Sequence, residues 1–450
     1  MNSEMDRKIN KLKIVCLGVM FMGLAACQTS FDEINYMDGR ADFSRFVSVG
    51  GGYMAGYADN ALYREAQMNS APALMASRFS LVGGGIFTQP MINPGPGLGL
   101  HGNSKYVLMN TIDPCGTKLI LEAHELYDTA DVTNYNWLGN AVPFNNLAVP
   151  GARIDDLFKQ SFGDPSPFLG NALYSRFASN PSTSTVAGDA LLINPTFTAI
   201  WTGIEDIYNY ALGGGDQGYD SLTKPVSFSE KFDDLIAQII PVNSGAVIAN
   251  IPSLNTIPAF TAIPWNGLVL DAATAANLNA QYAIVDPTIS FVAGENRFVI
   301  ADASMPTGRR QISNGEYILL SVPRDSLVCA KWGTTTPIPA RYIIDAGEAG
   351  KINNAVAGYN NVILQAAAAG NFAIADMNTV FRTLKSGIVF NGVNYSTQYL
   401  KESAFSTDGF YLNQRGYAFV ANEFLNAINK SYGSNLPSVD VNSLPGIVFP

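Results

Sequence analysis

Three short stretches of this 450-residue chain bring together residue types that chemistry uses: Gly50-Gly51-Gly52-Tyr53, the adjacent acids Glu205 and Asp206, and Asp408 with Tyr411. A glycine run that leads into a helix can aim several backbone N–H groups at one point and accept an anion there. Paired acids can carry out glycoside hydrolysis. Neighbours at a strand end point apart, however, so Glu205 and Asp206 are not expected to converge. Serine chemistry needs an imidazole to take the hydroxyl proton. The chain has two histidines, His101 and His124, and neither is near Asp408 in sequence. Ser403 and Ser406 have no histidine beside them, and Ser48 is expected inside a strand. No Cys/His cluster has metal-ligand spacing, so no metal and no cofactor is expected.

The elements that must position these residues follow from hydrophobic periodicity. Short β-branched or aromatic runs predict strands at Arg45–Val49, Asn145–Val149, Phe197–Trp201, Ala246–Ile251 and Phe372–Asp376. Helical spacing predicts Ala71–Phe79, Ile154–Phe162, Ser229–Ile240, Ile352–Ala369 and Arg415–Tyr432. Strand then helix, repeated, implies an α/β chain with a mostly parallel sheet covered on both faces. Residues 252–339 are Pro-, Thr- and Asn-rich and read as an insertion around that sheet. In a doubly wound sheet, chemistry collects outside the carboxyl ends of the strands.

Four blocks stand there: Val47–Phe79, Asn145–Leu157, Trp201–Gly215 and Phe405–Asn429. In this order, over nearly all of residues 41–450, they resemble the SGNH (GDSL-type) hydrolases, especially the large lipoprotein branch. The resemblance implies a flavodoxin-like three-layer sandwich with a central mostly parallel sheet and a large insertion. It also implies a serine nucleophile in the first block, an oxyanion hole completed by a Gly and an Asn from the next two, and an Asp-x-x-His in the last. Here Gly51 and Gly52 stand where the family has Asp and Ser. Asn146 and Gly151 keep the second block, Glu205 replaces the neutral Asn donor, and Tyr411 follows Asp408 in place of the histidine. An ionised carboxylate cannot donate a hydrogen bond. The expectation is a degenerate site in which Glu205 plugs the old oxyanion hole by accepting from Gly52 or Gly151. Gly51, Gly52, Arg64, Asn146, Gly151 and Glu205 are the ligand-binding candidates.

At the N-terminus, Arg7, Lys8, Lys11 and Lys13 precede the uncharged run Ile14–Ala26. Thirteen apolar residues are too few to span a bilayer core of roughly 30 Å, so this reads as a cleaved signal, residues 1–26. The run closes on Leu24-Ala25-Ala26-Cys27, which resembles a bacterial lipobox. That resemblance implies lipidation of Cys27, a tether over residues 27–40 and a place in the outer membrane on its periplasmic or surface face. Without residues 1–26 the chain carries 23 Lys+Arg against 35 Asp+Glu, a net charge of −12. With no dense basic block, attraction to nucleic acid is not expected. Of the cysteines left, Cys115 and Cys329 either pair in an oxidising envelope or stay as two buried thiols.

Apolar residues make up 47% of the chain and charged residues 14%, against roughly 25% in an average soluble domain, which excludes a disordered polyelectrolyte. The function expected is that of a non-catalytic envelope lipoprotein, binding a ligand or serving a β-barrel transporter as an accessory subunit. The alternative is an esterase or lipase acting on lipid or carbohydrate esters through rearranged groups.

Overall fold

Five consecutive buried residues, Phe46–Gly50, form the first central strand, β1. Three more follow in parallel: β2, Phe197–Trp201; β3, Gly245–Ala249; and β4, Ala373–Ala375. The sheet runs β1-β2-β3-β4, with Phe46 opposite Phe197 and Ala199 opposite Val247. All five positions of β1 and of β2 are buried, as strands covered on both faces require.

The computed structural model of the protein describes Met5 and residues 35–450, apart from 114, 117, 128, 140–142, 167–169, 217 and 219. Apart from Met5, the expected signal segment 1–26 lies outside the described residues, as do Cys27 and the tether up to residue 34. Met37–Pro450 forms one compact unit. Among the described residues no helix is long and apolar enough to cross a membrane.

The predicted strand Asn145–Val149 is a bridge rather than a full strand. Ser48 pairs in parallel with Asn146, and the N–H groups of Leu147 and Val149 donate to the carbonyls of Ser48 and Gly50, each at 2.9 Å. The N–H groups of Asn145 and Asn146 instead turn to Thr88, and the Asn145 amide side chain reaches the Phe46 carbonyl. With the Ser48 N–H donating to the Asn145 carbonyl, the segment keeps three backbone bonds to β1, while the N–H groups of Asn145 and Asn146 go to the Thr88 carbonyl rather than to a further strand. Counting this segment, the spatial order in chain sequence is 2-1-3-4-5, the flavodoxin-like doubly wound arrangement.

Helices cover both faces. On one lie α1, Ala71–Phe79; α5, Met377–Ser386; and α6, Gln414–Tyr432. On the other lie α2, Ile204–Leu212; α3, Pro225–Ile239; and α4, Ala346–Gly370. Their ends follow from capping chemistry. Asp345 and Glu348 form a reciprocal capping box at α4, Asn413 caps α6 through Gly416 N–H, and Gly433 ends α6 in the left-handed region. The predicted helix Ile154–Phe162 is instead two 3-10 turns, Ile154–Phe158 and Gln160–Gly163. Asp156 folds back to the Arg153 N–H and takes the Lys159 ammonium, and the chain extends at Lys159.

Residues 252–339 begin in the main core through Ala259 and Phe260, then form two small apolar clusters of their own. One gathers Phe298, Ile300, Ile312, Ile318 and Ile338; the other gathers Leu278, Tyr282, Ile289 and Phe291. A helix at Ala272–Val285, absent from the sequence reading, is alanine-rich and capped by Asp271 on Thr274 N–H. It buries only Ala275, Leu278 and Tyr282, so its apolar stripe is too sparse to stand out in the sequence. Cys115, at the turn of a hairpin of Tyr106–Ile112 and Leu119–Glu125, is joined by a disulfide to Cys329.

Candidate functional site

At the carboxyl end of β1 the chain passes through Gly51 into a helical turn, Gly52–Ala55. At the carboxyl end of β2 it passes through Gly203 into α2, whose first turn carries Glu205 and Asp206. Parallel pairing of Gly50 with Trp201 sets these two ends side by side. The Gly52 N–H donates to Glu205 Oε1 at 2.8 Å, and Glu205 is 1% exposed. Burial pushes the Glu205 carboxyl up to about 7, and the charges of Asp206 and Asp156 add to that. The Gly52 hydrogen bond pulls the other way. Glu205 thus occupies the N–H that the resemblance assigns to the oxyanion hole. The Gly151 N–H makes no bond to Glu205 and has no partner among the described residues.

Two glycines here are required by close approach. A Cβ built on Gly51 would fall within the Glu205 carboxylate. On Gly52 it would lie 2.7 Å from Tyr411 Cζ and 2.9 Å from the Tyr411 hydroxyl, well inside van der Waals contact. The space that a serine side chain would need at Gly52 is therefore filled by the tyrosine ring. That ring packs against Tyr57, Tyr53 and Phe410, with centroids 4.8, 5.2 and 4.8 Å away. Such offset and edge contacts fix its position.

Asp408 holds this arrangement from behind. Its Oδ1 accepts from the N–H groups of Phe410 and Tyr411, each at 2.7 Å, and its Oδ2 accepts from Asn60 N–H at 2.9 Å. Burial pushes its carboxyl up to about 6, with the three backbone bonds opposing and Asp59 adding to the rise. Both oxygens are engaged in shaping the turn that presents Tyr411. Asp206 is likewise pushed up to about 6 by burial and accepts from Thr223 and from Ile154 N–H. Glu205 and Asp206 therefore address different partners.

The remaining expected residues divide. Asn146 is buried in structural bonds: its Oδ1 accepts from Ser48, and its Nδ2 donates to the Met54 carbonyl and to Gln89. Gly151 lines a cavity of about 1140 Å³ that opens beyond Tyr411. Arg64 is exposed on a short helix, Arg64–Met68, and does not line that cavity. The structure brings Gly51, Gly52, Glu205, Asp408 and Tyr411 together, sets Gly151 at the cavity wall, and leaves Arg64 apart.

Sequence reasoning missed Asp59 and Asn60. Both have left-handed backbones, φ +52° and +61°, and they clip the first block to the last. Thr407 N–H donates to Asp59 Oδ1, and Asn60 N–H donates to Asp408. The tolerance of Asp and Asn for that conformation was the available signal. Among the described residues, no group of three or more His, Cys, Asp or Glu is placed to hold a metal ion.

No protein-family model matches the chain, and no curated protein matches it. Among solved structures it is similar to an α/β hydrolase enzyme from the metagenome of Lake Arreo, Spain. That match covers 86% of this chain and 96% of that one, with 12% identity and a TM-score of 0.36. It is also similar to a protein described as a GDSL-like lipase from Parabacteroides merdae, over 86% and 97%, with 9% identity and a TM-score of 0.33. The α/β three-layer architecture stands on the chain's own sheet order and helix placement.

Proposed function

We propose that this protein is a non-catalytic, SGNH-like lipoprotein of the cell envelope, which uses the carboxyl edge of its sheet to bind rather than to hydrolyse. One observation carries the reading: the Tyr411 ring lies where a side chain at Gly52 would have to be, while Glu205 takes the Gly52 N–H. Serine hydrolysis needs a hydroxyl, a base and free donors for the oxyanion. Here the place of the first is filled, tyrosine stands for the second, and one donor is engaged by an acid. The cavity beyond Tyr411 supports a ligand-binding role. In this reading Cys27 is acylated and the acidic body serves the outer membrane, as an accessory to a β-barrel transporter.

The test is turnover of short- and medium-chain p-nitrophenyl esters by the purified protein, with Glu205→Gln and Tyr411→Ala alongside. The reading predicts rates equal to those of heat-denatured protein. Turnover lost in either variant would establish ester hydrolysis through rearranged groups and overturn it.

A further inference from the structure

The lining of the carboxyl-edge cavity narrows what it can hold. Among the described residues, three carboxylates, Asp156, Asp164 and Asp220, line it together with the imidazole of His101, and no lysine or arginine does. An anionic ligand, whether fatty acid, phosphate or uronic acid, would meet the Asp164 carboxylate with no lysine or arginine on the described wall to offset it. The three acids are also already engaged. Asp220 is ion-paired with Arg153, Asp156 with Lys159, and Asp164 accepts from Ser166 N–H. Two of the three are thus already neutralised by a cation, which leaves Asp164 alone as a site for a cationic ligand.

Apart from the His101 imidazole, the groups of the described wall left without a protein partner are neutral. They include the Gly151 N–H, the Ser175 and Ser166 hydroxyls, the Asn209 amide and the hydroxyls of Tyr135 and Tyr411. Ser175 is only 6% exposed, so its hydroxyl opens on little but the cavity. A purely apolar ligand would strip water from these groups and give nothing back. A ligand dense in hydroxyls, each both donor and acceptor, would pair with all of them. The tyrosine rings offer flat apolar faces for the C–H faces of such a molecule. At about 1140 Å³ the space exceeds the roughly 300–1,000 Å³ usual for small-ligand pockets, which suits an oligomer.

Resting on the ligand-binding reading above, we infer that this cavity takes an uncharged oligosaccharide and excludes anionic glycans. The experiment is binding of the full-length, detergent-solubilised protein to an array of uncharged, uronic or sulfated, and amino-sugar glycans. Binding should be confined to uncharged glycans. Ser175→Ala, Asn209→Ala and Tyr135→Phe should each weaken it roughly 3- to 10-fold. Lys351→Ala, on the exposed side of α4, should leave it unchanged. Melting temperatures matching the unmodified protein exclude misfolding, and Tyr135→Phe keeps the ring if the others fail that check. Binding to no glycan, comparable binding to anionic ones, preference for amino sugars, or indifference to all three variants would overturn the inference. Ester turnover measured on the same samples separates the two readings: turnover sinks the non-catalytic proposal alone, whereas glycan silence without turnover sinks this inference alone.

Discussion

The Gly52 amide and the Glu205 carboxylate, brought from the ends of two neighbouring parallel strands, meet at 2.8 Å in a site closed over by Tyr411. The two contacts interlock. Gly51 must be glycine to admit Glu205, and Gly52 must be glycine to admit Tyr411.

That interlock predicts non-additive energetics. Gly52→Ala should destabilise the protein by about 1–3 kcal/mol through overpacking against the tyrosine ring. Tyr411→Ala removes the obstacle, so the cost of Gly52→Ala should largely vanish in that background. Urea denaturation of the two single variants and the double variant measures the coupling. Additive effects would mean the ring does not contact this position.

The stability contributed by three buried acids should fall as pH rises towards neutrality. Glu205, Asp206 and Asp408 are held above their ordinary carboxyl values, at about 7, 6 and 6, chiefly by burial. Between about pH 5 and 7 these three groups therefore bind more protons in the folded state than in the unfolded chain, and their contribution to the slope of unfolding free energy with pH is negative. Glu205→Gln removes one of these groups while keeping a carbonyl acceptor for Gly52. Relative to the unmodified protein it should gain on the order of 1–3 kcal/mol on going from pH 5 to pH 8. Melting curves at the two pH values check this, and an unchanged pH slope would show that Glu205 titrates normally.

The Cys115–Cys329 disulfide closes a loop with a sequence separation of 214 residues. Restricting so long a loop in the unfolded chain should stabilise the fold by about 2–5 kcal/mol. Cys115→Ser/Cys329→Ser should melt lower than the unmodified protein without reductant and equally with it. Equal melting in both conditions would argue that the bridge is not formed.

On the proposed lipoprotein reading, membrane attachment should depend on Cys27. Acyl chains contribute about 0.8 kcal/mol per buried CH₂. Cys27→Ser should abolish palmitate incorporation and move the protein to the soluble fraction. Retention of the variant in membranes would show a second attachment.

The sequence was most informative where one physical demand dominates. The buried runs of β2 and the capped amphipathic α1 stand at the residues predicted, Phe197–Trp201 and Ala71–Phe79. Glu205 was legible because a carboxylate stood where a neutral donor belongs, and the two glycines because side chains were missing. What one strand of text could not show is that Tyr411 lies against Gly52, a long-range packing relation made by the Asp408 turn and the Asp59–Asn60 clip. Arg64 illustrates the converse. It lies within the first block, after its glycine run, yet the short helix that carries it turns its side chain to solvent. The helix Ala272–Val285 was hidden because it rests on alanine propensity rather than on an apolar stripe.

The most direct test of the central claim is covalent labelling with a fluorophosphonate, which marks any serine activated by a neighbouring base. Intact-mass measurement of the native protein should show no adduct under conditions that label an active serine esterase fully. A stoichiometric adduct mapped to a serine of this chain, and lost on denaturation, would contradict the account.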